Sequence, residues 1–319
     1  MFPECEMRVI AFFGLQGNVG CLPQAFDVLV DMSRRLHCEP NLLSGAGGRL
    51  GGFRNIERRL RKSNFSEVRS FEFYSLPDGI DNRLKGVNVS GCVSFRTSPQ
   101  VVIDVRNSLL ESPQLLLDAC REVAKLVRPL YGIGFRQPFR CGPTLFASGM
   151  RCPGTRKEDR EILTAHFGNL MYQYYSTKGL LSDLFEDNFL TAAQLDRPVG
   201  NRTFREWILS DPNDRGSLTP FTDNLWLWRL SPEHIVALRP ILKAAGRIID
   251  FWHEARLRDE EAFRRGASPA TSESILQALV GDSKPSDIDI VAFGGEKPPR
   301  QLSDAEENAI LKSKRQDNV

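Results

Sequence analysis

Hydrophobic positions are continuous along residues 9–13 but recur at helical spacing along 22–36, and the chain keeps switching between these two patterns. A short unbroken apolar run predicts a strand buried on both faces, and the 3.6-residue period predicts an amphipathic helix. On that basis 8–13, 70–76, 87–95, 101–106 and 131–135 read as strands, with 87–95 and 101–106 antiparallel across a hairpin link. Helices are expected over 22–36 and 54–62. Another follows Ser112, with Leu116, Ala119, Cys120, Val123, Leu126 and Val127 on its apolar face. Beyond residue 150 the pattern becomes richer in helix: 157–174, a break at Gly179, and 180–190, with Leu181, Leu184, Phe185 and Leu190 apolar. A strand pair from Arg215-Gly216 to Leu230 then leads into a helix over 231–264, opened by Ser231 as N-cap and Pro232 at the first position, and interrupted near Gly246.

The expected fold is α+β: a mostly antiparallel sheet with packed helices, followed by a flexible C-terminal tail. The pattern divides the chain into a sheet unit over 1–150, a helix-rich unit over 151–265 packed on the first, and a low-order tail over 266–319. Ser, Pro, Gly, Lys and Asp dominate the tail, a composition that buries little. No internal repeat is present.

Within this frame, 188–251 is dense in structural signals and nearly empty of chemistry. Thr203-Phe204-Arg205-Glu206-Trp207-Ile208 is a short amphipathic turn of helix, and Leu225, Trp226, Leu227, Trp228 and Leu230 make a strand that is apolar on both faces. Such a strand is either covered on both sides or offers its indoles to a partner; coverage by the 231 helix and by neighbouring chain is the expectation.

Composition narrows the classes. The 319 residues are 41% hydrophobic and 26% charged, and 42 basic residues against 40 acidic ones leave a net charge of +2. That balance supplies no global field for nucleic acid or an acidic membrane. No apolar run approaches the ~18 residues of a membrane span, and the N-terminal stretch lacks the features of a secretory signal. A cytosolic protein is expected. Seven cysteines without a CxxC pair, and four scattered histidines, fit unpaired thiols in a reducing compartment and no zinc site.

Four features imitate binding or catalytic motifs. Gly14-Leu15-Gln16-Gly17-Asn18-Val19-Gly20 lies between a strand and a helix, where phosphate loops occur. Its GxxGxxG spacing lacks the dinucleotide fingerprint, and no Gly-Lys-Ser/Thr follows, so a plain turn is the default. Residues 44–53, SGAGGRLGGF, are read likewise as a flexible loop. Arg49, Arg54, Arg58, Arg59, Arg61, Lys62 and Arg69 against Glu57 and Glu67 give a local 7 − 2 = +5, read as a solvated helix face. Asp287 and Asp289 in GDSKPSDIDIV resemble the strand-borne Asp-x-Asp of nucleotidyltransferases, but little chain follows to complete that fold, and no metal or other cofactor is expected.

The candidate partner-binding residues are Asp183, Glu186 and Asp187, at helical spacing i, i+3, i+4, with Tyr172 and Tyr175 (and Tyr174) beside them. Aromatic and charged groups in that combination suit a protein interface, with a plain solvated acidic helix face as the competing reading.

The series RPLYGIGFRQP (128–138), CGPTLFASGM (141–150), NFLTAAQLDRPVG (188–200), TFREWI (203–208) and RGSLTPFTDNLWLW (215–228) resembles bacterial immunity-type proteins found beside polymorphic or type VI secreted toxins, nearest the immunity protein 52-like group. The resemblance spans about residues 87–251 and rests on glycine, proline and aromatic positions. It implies an α+β protein that binds and neutralises a cognate toxin without catalysis. The competing expectations are a nucleotide-binding or nucleotidyltransferase-like enzyme, and a structural accessory of a secretion or defence system.

Overall fold

A computed structural model of the chain describes residues 5–45, 50–80, 83–96, 99–147 and 179–248. The expected 157–174 helix, Tyr172, Tyr174, Tyr175, Arg49, Asp287, Asp289 and the 266–319 tail lie outside these residues.

The run Glu6–Phe13 (β1) is buried almost throughout, as its unbroken apolar composition requires. It lies at the middle of a ten-stranded sheet between Gln100–Arg106 (β6) and Tyr131–Pro138 (β7), antiparallel to both. On the β6 side follow Val89–Ser94 (β5), Ser70–Ser75 (β4), Leu42–Gly45 (β2) and Gly51–Gly52 (β3). On the β7 side follow Asp187–Leu190 (β8), Leu225–Arg229 (β12) and the edge strand Ser217–Thr222 (β11), which carries Pro220 and a register shift between Pro220 and Thr222. Two further short strands, Pro198–Val199 (β9) and Arg202–Thr203 (β10), pair separately. Strands from both halves of the sequence therefore share one sheet, joined where β7 pairs with β8.

Side chains alternate between the two faces. On one face Ile10, Phe12, Phe71, Phe73, Val101 and Ile103 pack under the helices Leu22–Arg35 (α1), Phe53–Lys62 (α2) and Gln114–Val127 (α3). Phe26 of α1 meets Phe71 edge-on at 5.2 Å. The polar side of α2 is solvated as expected, with Arg61 held by Asp27 at 2.7 Å and Glu57 at 3.0 Å. The Ser112 hydroxyl accepts the Gln114 N–H at 3.2 Å where α3 begins.

The opposite face, with Val9, Ala11, Tyr131, Ile133, Leu190 and Trp228, is covered by Phe146 of Pro143–Ala147 (α4), Leu195 of Ala192–Leu195 (α5), Phe204 and Ile208 of Phe204–Leu209 (α6), and Leu238 and Leu242 of Pro232–Ala244 (α8). One further turn, Pro212–Arg215 (α7), leads into β11. The aromatic strand is thus covered on both faces: Leu225 and Leu227 join the first core, and Trp228 is fully buried in the second with its Nε1–H donating to the Arg215 carbonyl at 2.7 Å. Helix α8 begins as its sequence requires, with Ser231 accepting the His234 N–H and Pro232 at the first position, and it stops before Gly246.

Residues 180–190 correct an expectation. They form a loop and strand β8 rather than a helix. Leu181, Leu184 and Phe185 are buried, but the loop is closed by side chains: Asn188 Oδ1 accepts the Phe185 N–H at 3.1 Å and its Nδ2 donates to the Phe185 carbonyl at 2.7 Å. Pairing with β7 and β12 then takes 187–190 into the sheet, which outweighs any local helical tendency.

Among the described residues no helix is long and apolar enough to cross a membrane.

Candidate functional site

The three acidic residues singled out from the sequence are not displayed together on one helix face. Asp183 is buried, its Oδ1 accepting from Arg239 Nε of α8 at 2.8 Å and from the Leu184 N–H at 2.7 Å. Asp187 opens β8 with its side chain 4% exposed, bonded to Arg8 of β1 and lying 3.5 Å from Arg229 Nε of β12. Glu186 stands just outside, bonded to Arg8 and, at 3.0 Å, to Arg136 Nε of β7. An isolated buried carboxylate is prohibitively costly, so the arginines on three neighbouring strands are what allow these acids to sit there. Gly134 makes the room: it lies opposite Asp187, and a Cβ on it would come within 2.9 Å of the Asp187 Cβ.

Arg8, Glu186, Asp187 and Arg229 line a cleft of about 260 Å³ with Ile10, Leu230 and the first turn of α3, at Pro113, Leu116 and Leu117. Within it the charges neutralise one another. Glu186 and Arg229 are the charged lining residues that reach solvent, and Arg136 pairs with Glu186 beside the cleft.

The glycine-rich turn at 14–20 is committed to the fold. The Gly14 N–H donates to the Pro99 carbonyl at 3.1 Å, Gln16 to Arg128 at 3.1 Å and Gly17 to Val127 at 2.8 Å. Gly20 donates to Asn18 Oδ1 at 2.8 Å. These amides satisfy the C-terminal carbonyls of α3 and neighbouring chain, so they are not the free donors a phosphate loop requires. Gly17 is needed for this docking, since a Cβ there would meet the Leu126 oxygen at 2.6 Å.

A surface of two indoles and two arginines is built by α6, α7 and β12. Thr203 caps α6 through its hydroxyl, which accepts the Glu206 N–H at 3.2 Å, while Glu206 reaches back to the Thr203 N–H at 2.9 Å. That bond to Thr203 also lowers the Glu206 pKa. The short helix presents Trp207, stacked on Phe204 at 5.9 Å, and the Arg215 guanidinium lies 4.4 Å over the Trp207 ring. Arg215 is further fixed by bonds to the Trp207 carbonyl at 2.6 Å and Ser210 Oγ at 2.7 Å. Beside it the Arg205 guanidinium covers Trp226 at 4.1 Å. Both indoles are half-buried, and Leu209 is 55% exposed at the end of α6.

A polar cluster on the outer face of β4–β6 escaped the sequence reading. Asp104 is buried and accepts from Ser90 Oγ at 2.8 Å and from Thr144 Oγ1 of α4, while its Oδ1 has no hydrogen-bond partner. Burial raises its pKa to about 6, against the pull of Thr144 and Ser90. Glu72 nearby is also raised by burial, though Tyr74 and Arg83 oppose the shift. The available signal was one acid inside the apolar strand QVVIDVR.

Among the described residues no group of three or more His, Cys, Asp and Glu side chains is arranged to hold a metal ion. The six described cysteines are free thiols.

No family model matches the chain, and no curated protein matches it. Among solved structures, a Pseudomonas aeruginosa T6SS protein is similar at a TM-score of 0.47 and 13% identity, over 76% of this chain and 73% of that one.

Proposed function

We propose that this chain is a non-enzymatic binding protein, an immunity-type protein that neutralises a cognate secreted toxin by masking it. The observation that carries this reading is the pair of half-buried tryptophans, Trp207 and Trp226, each held under an arginine. Tryptophan and arginine dominate the energetics of protein interfaces, and side chains already fixed in place lose little entropy on docking. Glu186, the one member of the acidic trio that reaches solvent, stands with Arg136 and Arg229 on the α3 side of the sheet, opposite the face of the tryptophans, and is not part of this contact. The resemblance to the immunity protein 52-like group supplies the class of partner.

The test is neutralisation and affinity against any secreted toxin found encoded beside this gene. Trp226→Ala and Arg205→Ala should melt within a few degrees of the parent, because both side chains are partly exposed, and should lose about 30-fold or more in affinity, as for an interface hot spot of ~2 kcal/mol. Full protection and unchanged affinity in both variants would refute this surface. Absence of any binding by the parent protein would refute the toxin reading itself.

A further inference from the structure

Helix α8 is apolar on two opposite sides. Leu238 and Leu242 are buried on its inner side, and Ile235 packs against the same core. The polar side chains along its flanks are spent on the fold: His234 Nε2 meets the Asn213 carbonyl at 2.7 Å, and Arg239 donates to Asp183 at 2.8 Å. The outward side then carries Val236, Ala237, Pro240, Ile241 and Ala244, all exposed, with Val236 at 72% and Ile241 at 49%. They fall in two adjacent rows at i, i+4 spacing and make one stripe, not scattered singles. A solvated helix ordinarily gives that side to polar residues, and one that is apolar all round is ordinarily covered all round. A contiguous apolar patch of this kind marks a docking surface.

The charges at the two ends of the stripe point to its occupant. Glu233 stands in the first turn and Lys243 in the last, both exposed, and among the described residues neither is in an ion pair. A second α8 laid antiparallel, about a two-fold axis at the level of Leu238, sets Glu233 level with Lys243 of the partner copy and, by symmetry, the reverse. The same axis sets Val236 level with Pro240 of the partner copy, because both pairs of positions are centred on 238. The small side chains of Ala237, Pro240 and Ala244 let two such helices approach closely. Antiparallel packing also brings each positive helix end beside a negative one. A parallel copy instead brings Glu233 onto Glu233 and Lys243 onto Lys243, which like-charge repulsion disfavours.

We propose that the outward side of α8 is the contact surface of a symmetric homodimer in which two copies of the helix pack antiparallel. Such a contact is isologous, so one patch serves both subunits. It offers about seven residues a side against roughly 20–30 in a standard interface, so the dimer is weak, with a dissociation constant of about 100 µM. This goes beyond the toxin-binding reading and does not depend on it, because no toxin enters the test and Trp207, Trp226 and their arginines lie outside the stripe.

The test is sedimentation equilibrium of the full chain at low ionic strength, from about 10 µM to about 1 mM so as to bracket that constant, with a thermal melt of each variant. A monomer–dimer equilibrium is expected for the parent. Val236→Asp should melt like the parent, because the side chain is 72% exposed, and should associate at least about tenfold more weakly. Glu233→Lys should weaken association by about threefold or more, since it sets a lysine against Lys243 of the partner copy at both ends. Glu233→Lys combined with Lys243→Glu should restore the dimer, a rescue that a change in helix capping alone does not give. The proposal is overturned if the parent stays monomeric up to about 1 mM, whether another part of this chain or a different protein then covers the stripe. It is also overturned if Val236→Asp associates like the parent, or if the double exchange fails to restore what Glu233→Lys loses.

Discussion

Asp104→Asn is the most decisive substitution the fold offers. The buried carboxyl titrates at about 6 in the folded protein, against an ordinary value of 3.8. Below the ordinary value both folded and unfolded chains carry the proton, and the folded state is not penalised. As pH rises from there the unfolded chain ionises first, so stability falls until the folded carboxyl also ionises above pH 6 or so. A separation of roughly two units corresponds to about 3 kcal/mol in total, of which about 2 kcal/mol falls between pH ~4.5 and ~7.5. Asparagine keeps the shape and can accept from Ser90 and Thr144 through its amide oxygen, and whatever its amide group costs is independent of pH. Asp104 is among the charges that raise Glu72, so the difference between the two proteins reports Asp104 together with its coupling to Glu72. Urea unfolding at several pH values measures it: relative to the variant, the parent should lose about 2 kcal/mol across that window. Parallel stability curves for the two proteins, or a parent that gains stability relative to the variant as pH rises, would refute the assigned protonation of Asp104.

Two further outcomes are expected. Arg8→Ala leaves Asp187 and Glu186 short of their shared partner and should cost about 3–5 kcal/mol, whereas Arg229→Ala, at a side chain 48% exposed, should cost ~1 kcal/mol or less; equal costs in denaturant unfolding would contradict the network. Trp228→Ala should destabilise the fold by about 3–5 kcal/mol, since the indole is fully buried and hydrogen-bonded, and an unchanged melting temperature would show that the strand is not covered on that side.

The elements legible in the sequence are those whose signal is local. The α3 helix announces itself by period, α8 by Ser231-Pro232, and the β5–β6 hairpin by two apolar runs across a short link. The 180–190 segment misleads because Leu181, Leu184 and Phe185 have helical spacing, yet a loop lying on a core meets the same burial requirement. What decides between them is the strands that pair on either side, which a window of eleven residues does not contain, although Asn188 lies within it. The candidate site is less legible still. Arg8 meets Glu186 and Asp187 across 178 and 179 positions of sequence. Pairing of charges at that range is a product of strand order, and strand order is set by the whole sheet.

Strand β11 bears on how another protein can approach. A sheet's outermost strand ordinarily offers unpaired amides and carbonyls to any extended segment, including one from another copy of the same chain. Here Pro220 removes a donor from that strand, and the register shift beside it breaks the regular spacing an incoming strand would need. Backbone templating is thereby discouraged at this border, against both aggregation and promiscuous strand addition. A visitor arriving next to α6 and β12 must instead be recognised by its side chains, a stricter criterion that favours one cognate partner over many.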